Sequence, residues 1–431
     1  MDSNKAEFCL PNKVYEEALE EILKNNLSKS LENYQLIYSA GSAKGDNYMG
    51  VIHRVQVIDK ATDENKLSLI VKLPPESLAR RNEMSTNVLF RREADFYDNV
   101  YPIYQKFQEE KGINIMKDGF HHIPFCYKTL TEEPYEGLYF EDLKASGFEM
   151  YDRHKEVTKE HVCLVMKSLA KMHAIFYSIK DQMPELIESY TKIKDIFLTL
   201  SDKTNSPLTP WFDSLKKQAL DVVYKSDNKD MIKRIENMLE RSFSELLKDC
   251  FDLEKTEPQA VLCHGDCWNN NVLFKYDKNE TPNDLRILDF QIIRYASPVC
   301  DLMYYIFCCT TKSLRDKHYQ EFLNVYYDEL CSFISRLGSN PEKLFPRQTF
   351  EKHLKEFGKF GLIMAMIVLP IFTSDASDIP DMDELAENLK KIGESEQVDK
   401  EAFKFTTEKT FDKYADRMIG VCDDMYSLGY I

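Results

Sequence analysis

Cys263-His-Gly-Asp-Cys-Trp-Asn-Asn-Asn-Val-Leu-Phe274, followed by Ile287-Leu-Asp-Phe-Gln291, decides the reading of this chain. Asp266, Asn271 five residues later and Asp289 beyond a polar turn form a spaced set of oxygen-bearing side chains. Moving a phosphoryl group asks little covalent chemistry of a protein. It asks for a carboxylate that receives the acceptor hydroxyl's proton, and for oxygen ligands that hold magnesium on the phosphates. Asp266 suits the first task, Asn271 and Asp289 the second.

The local pattern brings these side chains together. Residues 260–263 read as a short apolar strand entering the turn His264-Gly265-Asp266, residues 272–276 as a second strand and 285–289 as a third. The polar stretch 277–284 is the turn between the last two. If these strands pair, the hairpin returns Asp289 to the side of Asn271. Asp and Asn are ordinary turn residues, so an isolated Asp-x4-Asn carries little. The His-Gly-Asp tripeptide, the Asn offset and an apolar strand closing on Asp-Phe-Gln together make a specific motif.

Upstream, residues 13–27 have helical periodicity, and strands are expected at 34–40, 51–58, 67–73, 123–130 and 137–141, with one long helix at 81–107. Lys72 ends an apolar run, Leu67-Ser-Leu-Ile-Val-Lys-Leu73, where a buried ammonium needs a partner; the competing reading is a lysine guarding a sheet edge. Leu89, Phe96, Tyr97 and Val100 share one helical face, and Glu93 falls within it. Glu93 is therefore the expected partner, and Glu83, well off that face, is not. The turn 41–50, with Gly41 and Gly45, can drape backbone amides over phosphates. Glu141-Asp142-Leu143 is the expected hinge, where backbone groups of Glu141 and Leu143 meet adenine.

The expected architecture is α+β with two lobes: residues 1–141, a small β-rich lobe with one long helix, and 142–431, a larger and mainly helical lobe carrying the catalytic hairpins. At 431 residues and 43% hydrophobic, the chain can bury one large core or two modest ones. The formal net charge of −16 speaks against nucleic acid as a partner. Eleven cysteines, with no Cys-x2-Cys pair, suggest reduced thiols. No basic leader is evident, and the most apolar run, 361–372, is short and holds Pro370, so no segment is expected to reach membrane-spanning length. A cytoplasmic protein without membrane insertion or an obligate protein partner is the expectation. The acidic stretch 374–400 is expected to be a solvated excursion.

Four stretches, 89–97, 263–274, 288–291 and Pro298-Val-Cys-Asp-Leu302, together resemble the small-molecule branch of the protein-kinase-like superfamily. Within it the chain is most similar to the ecdysteroid kinase-like (CHK kinase-like) family, over about residues 35 to 373. The resemblance implies ATP and Mg2+, Asp266 as catalytic base, Asn271 and Asp289 as metal ligands, Lys72 and Glu93 as the phosphate-binding pair, and Asp301 as a brace for the catalytic loop. His264 is expected to brace that loop by hydrogen bonding, and His173 to be a satisfied core histidine. Trp268 either anchors the loop or walls the acceptor pocket.

Eleven residues separate Asp289 from Asp301, too few for the activation segment on which a protein kinase seats a peptide. The acceptor is therefore a small hydroxylated molecule. The family implies an ecdysteroid or another lipophilic alcohol, with a choline- or ethanolamine-type kinase and a non-catalytic hormone carrier as alternatives. Tyr304, Tyr305, Phe307, Phe360 and Met364 are among the aromatic and apolar residues that can line a pocket for either acceptor.

Overall fold

The computed structural model describes residues 9–42, 49–201, 206, 208–375, 381–393 and 407–431. Five antiparallel strands form the first sheet: β1 (Tyr34–Ala40), β2 (Val51–Asp59), β3 (Asn65–Leu73), β4 (Cys126–Leu130) and β5 (Gly137–Glu141), in the order β1-β2-β3-β5-β4. Lys72 stands opposite Ile52 on one side and Leu138 on the other, so it lies on a central strand and guards no edge. The Lys13–Asn26 helix, capped by the Asn12 side chain on the Val14 amide, buries Leu19, Ile22 and Leu23 in a core shared with Val55, Val57, Leu69 and Val71.

The expected helix 81–107 is broken. Helices run Leu78–Glu83 and Thr86–Asp95, separated by Ser85 at φ 50, a left-handed conformation that ends a right-handed helix. A π-helical turn, Phe96–Val100, joins the second to the helix Tyr101–Glu110. There the Tyr101 amide reaches back to the Phe96 carbonyl, and Pro102 has no amide to restore the usual ladder. The expected strand 123–130 begins only at Cys126, after Pro124.

The remainder is mostly helical, and the α+β fold expected from the sequence is the fold found. Its largest core packs the Lys159–Gln182 helix against Lys312–Arg336, and Val299–Cys309 against Phe360–Thr373. That core extends into the Thr86–Glu110 layer through Phe90, Phe96, Tyr97 and Tyr104. Contrary to expectation, Lys159–Gln182 is long and apolar enough to cross a membrane, as is the bent pair Pro341–Phe357 and Phe360–Thr373 taken together. Most of Lys159–Gln182 is buried inside the protein, as in a core helix. The acidic stretch also departs from expectation. Its described part forms the helix Met382–Gly393, which buries Leu385, Ala386 and Leu389 beside Met84 and packs on Leu78–Glu83.

Three short strands frame the motif stretch: β7 (Val261–Cys263), β8 (Val272–Tyr276) and β9 (Pro282–Ile287). β8 and β9 form the expected hairpin, with Val272 opposite Ile287, and β6 (Glu149–Met150) adds to its edge. The third strand stops two residues short of Asp289, which has φ 65 and cannot continue a strand. β7 pairs with β10 (Arg294–Ala296) and leaves the hairpin to itself. The turn after Asp289 is locked by Phe290, fully buried and stacked on Phe96 with ring centroids 3.7 Å apart. Phe290→Ala is expected to lower unfolding free energy by about 3–5 kcal/mol in a urea titration, the cost of emptying an aromatic site in a packed core. A change below about 1 kcal/mol would show that the stack does not hold this turn.

Candidate active site

The loop leaving β7 is held from below by one carboxylate. Asp301, 1% exposed on the Val299–Cys309 helix, accepts the amides of His264 (2.7 Å) and Gly265 (2.9 Å) and contacts His173 Nε2 at 3.2 Å. Burial alone works against its charge, yet the contacts from His173, His264 and the Gly265 amide hold it below the usual carboxylate range. Gly265 has φ +87, and a Cβ there would meet the Ile292 carbonyl oxygen, so the turn requires glycine. His264 Nε2 donates to the Leu288 carbonyl (2.8 Å), while its Nδ1 accepts the Asp266 amide (3.2 Å). Both ring nitrogens are engaged, which fits the bracing expected of this histidine. His173 likewise uses both nitrogens, on Asp301 and on the Tyr326 hydroxyl (2.9 Å).

Asp266 is held at both carboxylate oxygens. The Tyr304 hydroxyl donates to Oδ1 at 2.7 Å, and Asn271 Nδ2 donates to Oδ2 at 2.9 Å. The same Nδ2 also reaches the Asp266 carbonyl at 2.9 Å, which leaves Asn271 Oδ1 as the amide's open acceptor. Burial raises the pKa of the Asp266 carboxyl above the usual range, despite the Tyr304 bond and the nearby His264, which lower it. The Leu288 amide bonds the Asn271 carbonyl at 2.8 Å, placing Asp289 one residue from that junction. The hairpin thus brings Asn271 and Asp289 to one place.

Lys72 meets them from the sheet. Its Nζ lies 2.6 Å from Glu93 Oε2 and also contacts Asp289 Oδ1. Burial depresses the ammonium's pKa, but the carboxylates of Asp289 and Glu93 outweigh it and hold Lys72 above the usual lysine range. Burial raises the Glu93 carboxyl above the usual range, with the Lys72 ammonium only partly opposing it. With the lysine protonated, we read the pair as ionic.

These groups form the polar end of a cleft with an empty volume of about 910 Å3. Lys72, Glu93, Asn271 and Asp289 line that end; Ile52, Ile70, Leu273 and Leu288 line the apolar part; Glu141, Asp142 and Leu143 line it too. Gly41 lines the cleft too, whereas Gly45 and the rest of 43–48 lie outside the described residues. Asp142 is paired with Arg54 (2.7 Å), a contact the sequence reading did not anticipate. Asp266 stands beyond the cleft lining, linked to it by Asn271. Trp268 is 7% exposed and belongs to the main core, where it anchors the loop.

Tyr304 was expected among aromatic residues able to line a pocket, yet its hydroxyl is spent on Asp266. The neighbouring Tyr305 hydroxyl holds Asn269 Oδ1 at 3.1 Å, and Phe307, Phe360 and Met364 are buried in the core. The signal that finds Tyr304 is its spacing. It lies three residues after Asp301, on the same face of one helix.

With this geometry described, the comparisons can be placed. The family model described as Ecdysteroid kinase-like family matches residues 44–339. The chain belongs to the ecdysteroid kinase-like family. The match is narrower than the span of 35 to 373 expected from the sequence. A search of curated proteins finds no match. Among solved structures, the chain is similar to an aminoglycoside 2'-phosphotransferase in its GDP complex, at 9% identity and TM-score 0.40, covering 97% of this chain and 100% of that one. A GDP and kanamycin complex matches at 11% identity and TM-score 0.37, covering 86% and 98%. An AMP-bound spectinomycin phosphotransferase matches at 13% and 0.36, covering 94% and 97%.

Removing one member of a buried ion pair strands the other. Lys72→Met is expected to cost about 3–5 kcal/mol of stability, because Glu93 is left buried beside Asp289. Adding Glu93→Gln should recover part of that loss. Thermal unfolding of the two variants checks this, and a double variant no more stable than Lys72→Met would argue against the pair.

Proposed function

We propose that the protein is an ATP-dependent phosphotransferase that phosphorylates a hydroxyl of a small lipophilic alcohol, an ecdysteroid or a related steroid or xenobiotic. The observation that carries this reading is the meeting of Lys72, Glu93, Asn271 and Asp289 at one end of a cleft, with Asp266 bonded directly behind Asn271. We assign 1–141 as the nucleotide-binding lobe and 142–431 as the lobe carrying the catalytic loop and acceptor pocket.

In this reading the apolar lining of Ile52, Ile70, Leu273 and Leu288 would hold the adenine, with backbone groups of Glu141 and Leu143 to pair with it. Gly41 begins the turn over the phosphates, and Lys72, oriented by Glu93, pairs with them. Asn271 Oδ1 and the Asp289 carboxylate are hard oxygen donors of the kind magnesium takes, and the ion would neutralise charge on the phosphates. Lys72, held by Glu93, would be the cation that pairs with the phosphates.

Asp266 accepts the proton of the attacking hydroxyl. Its pKa, raised by burial, favours that role. Tyr304 and Asn271 fix its orientation, one at each oxygen, and lone pairs remain for the acceptor. A small acceptor is favoured because residues 290–300 have no room for a peptide platform. They are buried and consumed by a 3-10 turn, by β10 pairing with β7, and by the start of the Val299–Cys309 helix. Steroid identity rests on the family alone. A cytosolic setting is part of the proposal, supported by eleven cysteines that are all free.

Three variants test this on a panel of lipophilic alcohols that includes ecdysteroids, with magnesium-ATP binding measured beside phosphate transfer. Asp266→Asn should bind nucleotide like the parent and lose transfer by at least about a hundredfold. Asp289→Asn should weaken magnesium-dependent nucleotide binding itself. Tyr304→Phe should lower kcat by about ten- to a hundredfold while leaving the KM for ATP unchanged, since it removes one hydrogen bond to a charged group. Transfer that survives Asp266→Asn ends the assignment of the base. A parent that binds the alcohols and transfers to none of them is a carrier.

A further inference from the structure

A second constellation lies outside the cleft and is used by nothing above. His121 and His122 sit in the segment between the Ile115–Asp118 turn and β4, and Asp284 sits on β9. One donor atom from each lies within 4.8 Å of the other two. Nδ1 of His121 and Nδ1 of His122 are both buried without a hydrogen-bond partner. A buried ring nitrogen left unpartnered is costly, and having two side by side, facing a carboxylate, points to a ligand.

We propose that His121, His122 and Asp284 form a binding site for a single zinc-class divalent ion, joining the segment before β4 to the hairpin that carries Asp289. Two imidazoles and a carboxylate are a donor set that zinc accepts, with the fourth position open to water. Magnesium and calcium prefer oxygen, so the site selects against the ion expected in the cleft. Tetrahedral zinc with bonds of about 2.0–2.1 Å sets its ligand atoms about 3.4 Å apart, so ring and carboxylate rotations of about an ångström close the site.

The surroundings support the donors. Arg286 lies near both rings, and Lys171 lies near His122. Arg286 binds Asp284 through Oδ1 (2.9 Å), which leaves Oδ2 for the ion. The positive charge of Arg286 and Lys171 moderates affinity, and a borderline ion with nitrogen ligands tolerates it better than a hard one.

The other cluster with metal-like spacing, His173, Cys263 and Asp301, makes a useful contrast. Its histidine is bonded at both nitrogens, and the Cys263 thiol donates to the Ser297 carbonyl at 3.4 Å. It needs no ion. The proposed site already touches the hairpin, because the Ile287 amide bonds the His122 carbonyl at 2.7 Å, two residues before Asp289. A bound ion would add a cross-link at the base of the strand leading to Asp289.

The test is independent of phosphotransfer. The full chain carrying Asp289→Asn, which weakens metal binding in the cleft, is stripped with chelator, loaded with zinc chloride or cobalt chloride, and gel-filtered. One equivalent of zinc should be retained, and cobalt should show the intense visible bands of four-coordinate geometry. Adding His122→Gln or Asp284→Asn should abolish retention and the zinc-induced rise in melting temperature, with far-ultraviolet circular dichroism reporting that each variant is folded. Zinc retention that survives both substitutions overturns the site. So does failure of the Asp289→Asn protein to retain zinc. If the added variants do not fold, the cobalt spectrum decides: weak bands of an oxygen-only octahedral ion count against the proposal.

Discussion

One ammonium ties the structure together. Lys72 is cut off from water on a central strand and meets Glu93, 21 residues away, and Asp289, 217 residues away. A charge buried this deeply is tolerable only when it is paired. That constraint draws the sheet, the Thr86–Asp95 helix and the end of the β8–β9 hairpin to one point. Phe290 reinforces it by stacking on Phe96 just beyond Asp289. The polar and aromatic contacts address the same junction, so the floor of the cleft is set by packing as well as by charge.

A second element sets the loop that carries Asp266. The Val299–Cys309 helix is buried along its whole length and presents successive residues to the loop. Asp301 takes two amides, Tyr304 takes one oxygen of Asp266, and Tyr305 takes the side chain of Asn269. Because the three come from consecutive turns of one rigid helix, their relative positions cannot drift. Catalytic groups need placement to a fraction of an ångström, and a packed helix supplies it more dependably than a loop supporting a loop.

Much of this was legible in the sequence, for identifiable reasons. The strands Tyr34–Ala40, Gly137–Glu141 and Val272–Tyr276 have the expected bounds because turn residues punctuate both ends. Lys72 and Glu93 could be paired because each is a charge in an apolar pattern, and Asn271 and Asp289 because a hairpin has few ways to return. The breaks at Ser85 and Phe96 were hidden, since apolar periodicity continues across both and does not record a single residue's φ. The Met382–Gly393 helix was hidden by its acidic face, which masked the short stripe of Leu385, Ala386 and Leu389. Tyr304 was read as a pocket residue because a sequence shows a ring more plainly than the destination of its hydroxyl.

Charge supports the proposal that the site receives a cation. Glu93, Asp266 and Asp289 bring three carboxylates to one region, with a single buried ammonium, Lys72, bonded to two of them. His264 spends both ring nitrogens within the loop, on the Leu288 carbonyl and the Asp266 amide. A nucleotide's phosphates are anionic and would enter a field that repels them, at a depth where water screens poorly. A divalent ion held by Asn271 and Asp289, as proposed, would offset that field. In the proposed reading such an ion would compete with Lys72 for Asp289, while the Glu93 contact would keep the lysine in place. The contact between Lys72 and Asp289 is thus the arrangement of the site on its own charges, the one the proposed metal and nucleotide would have to replace.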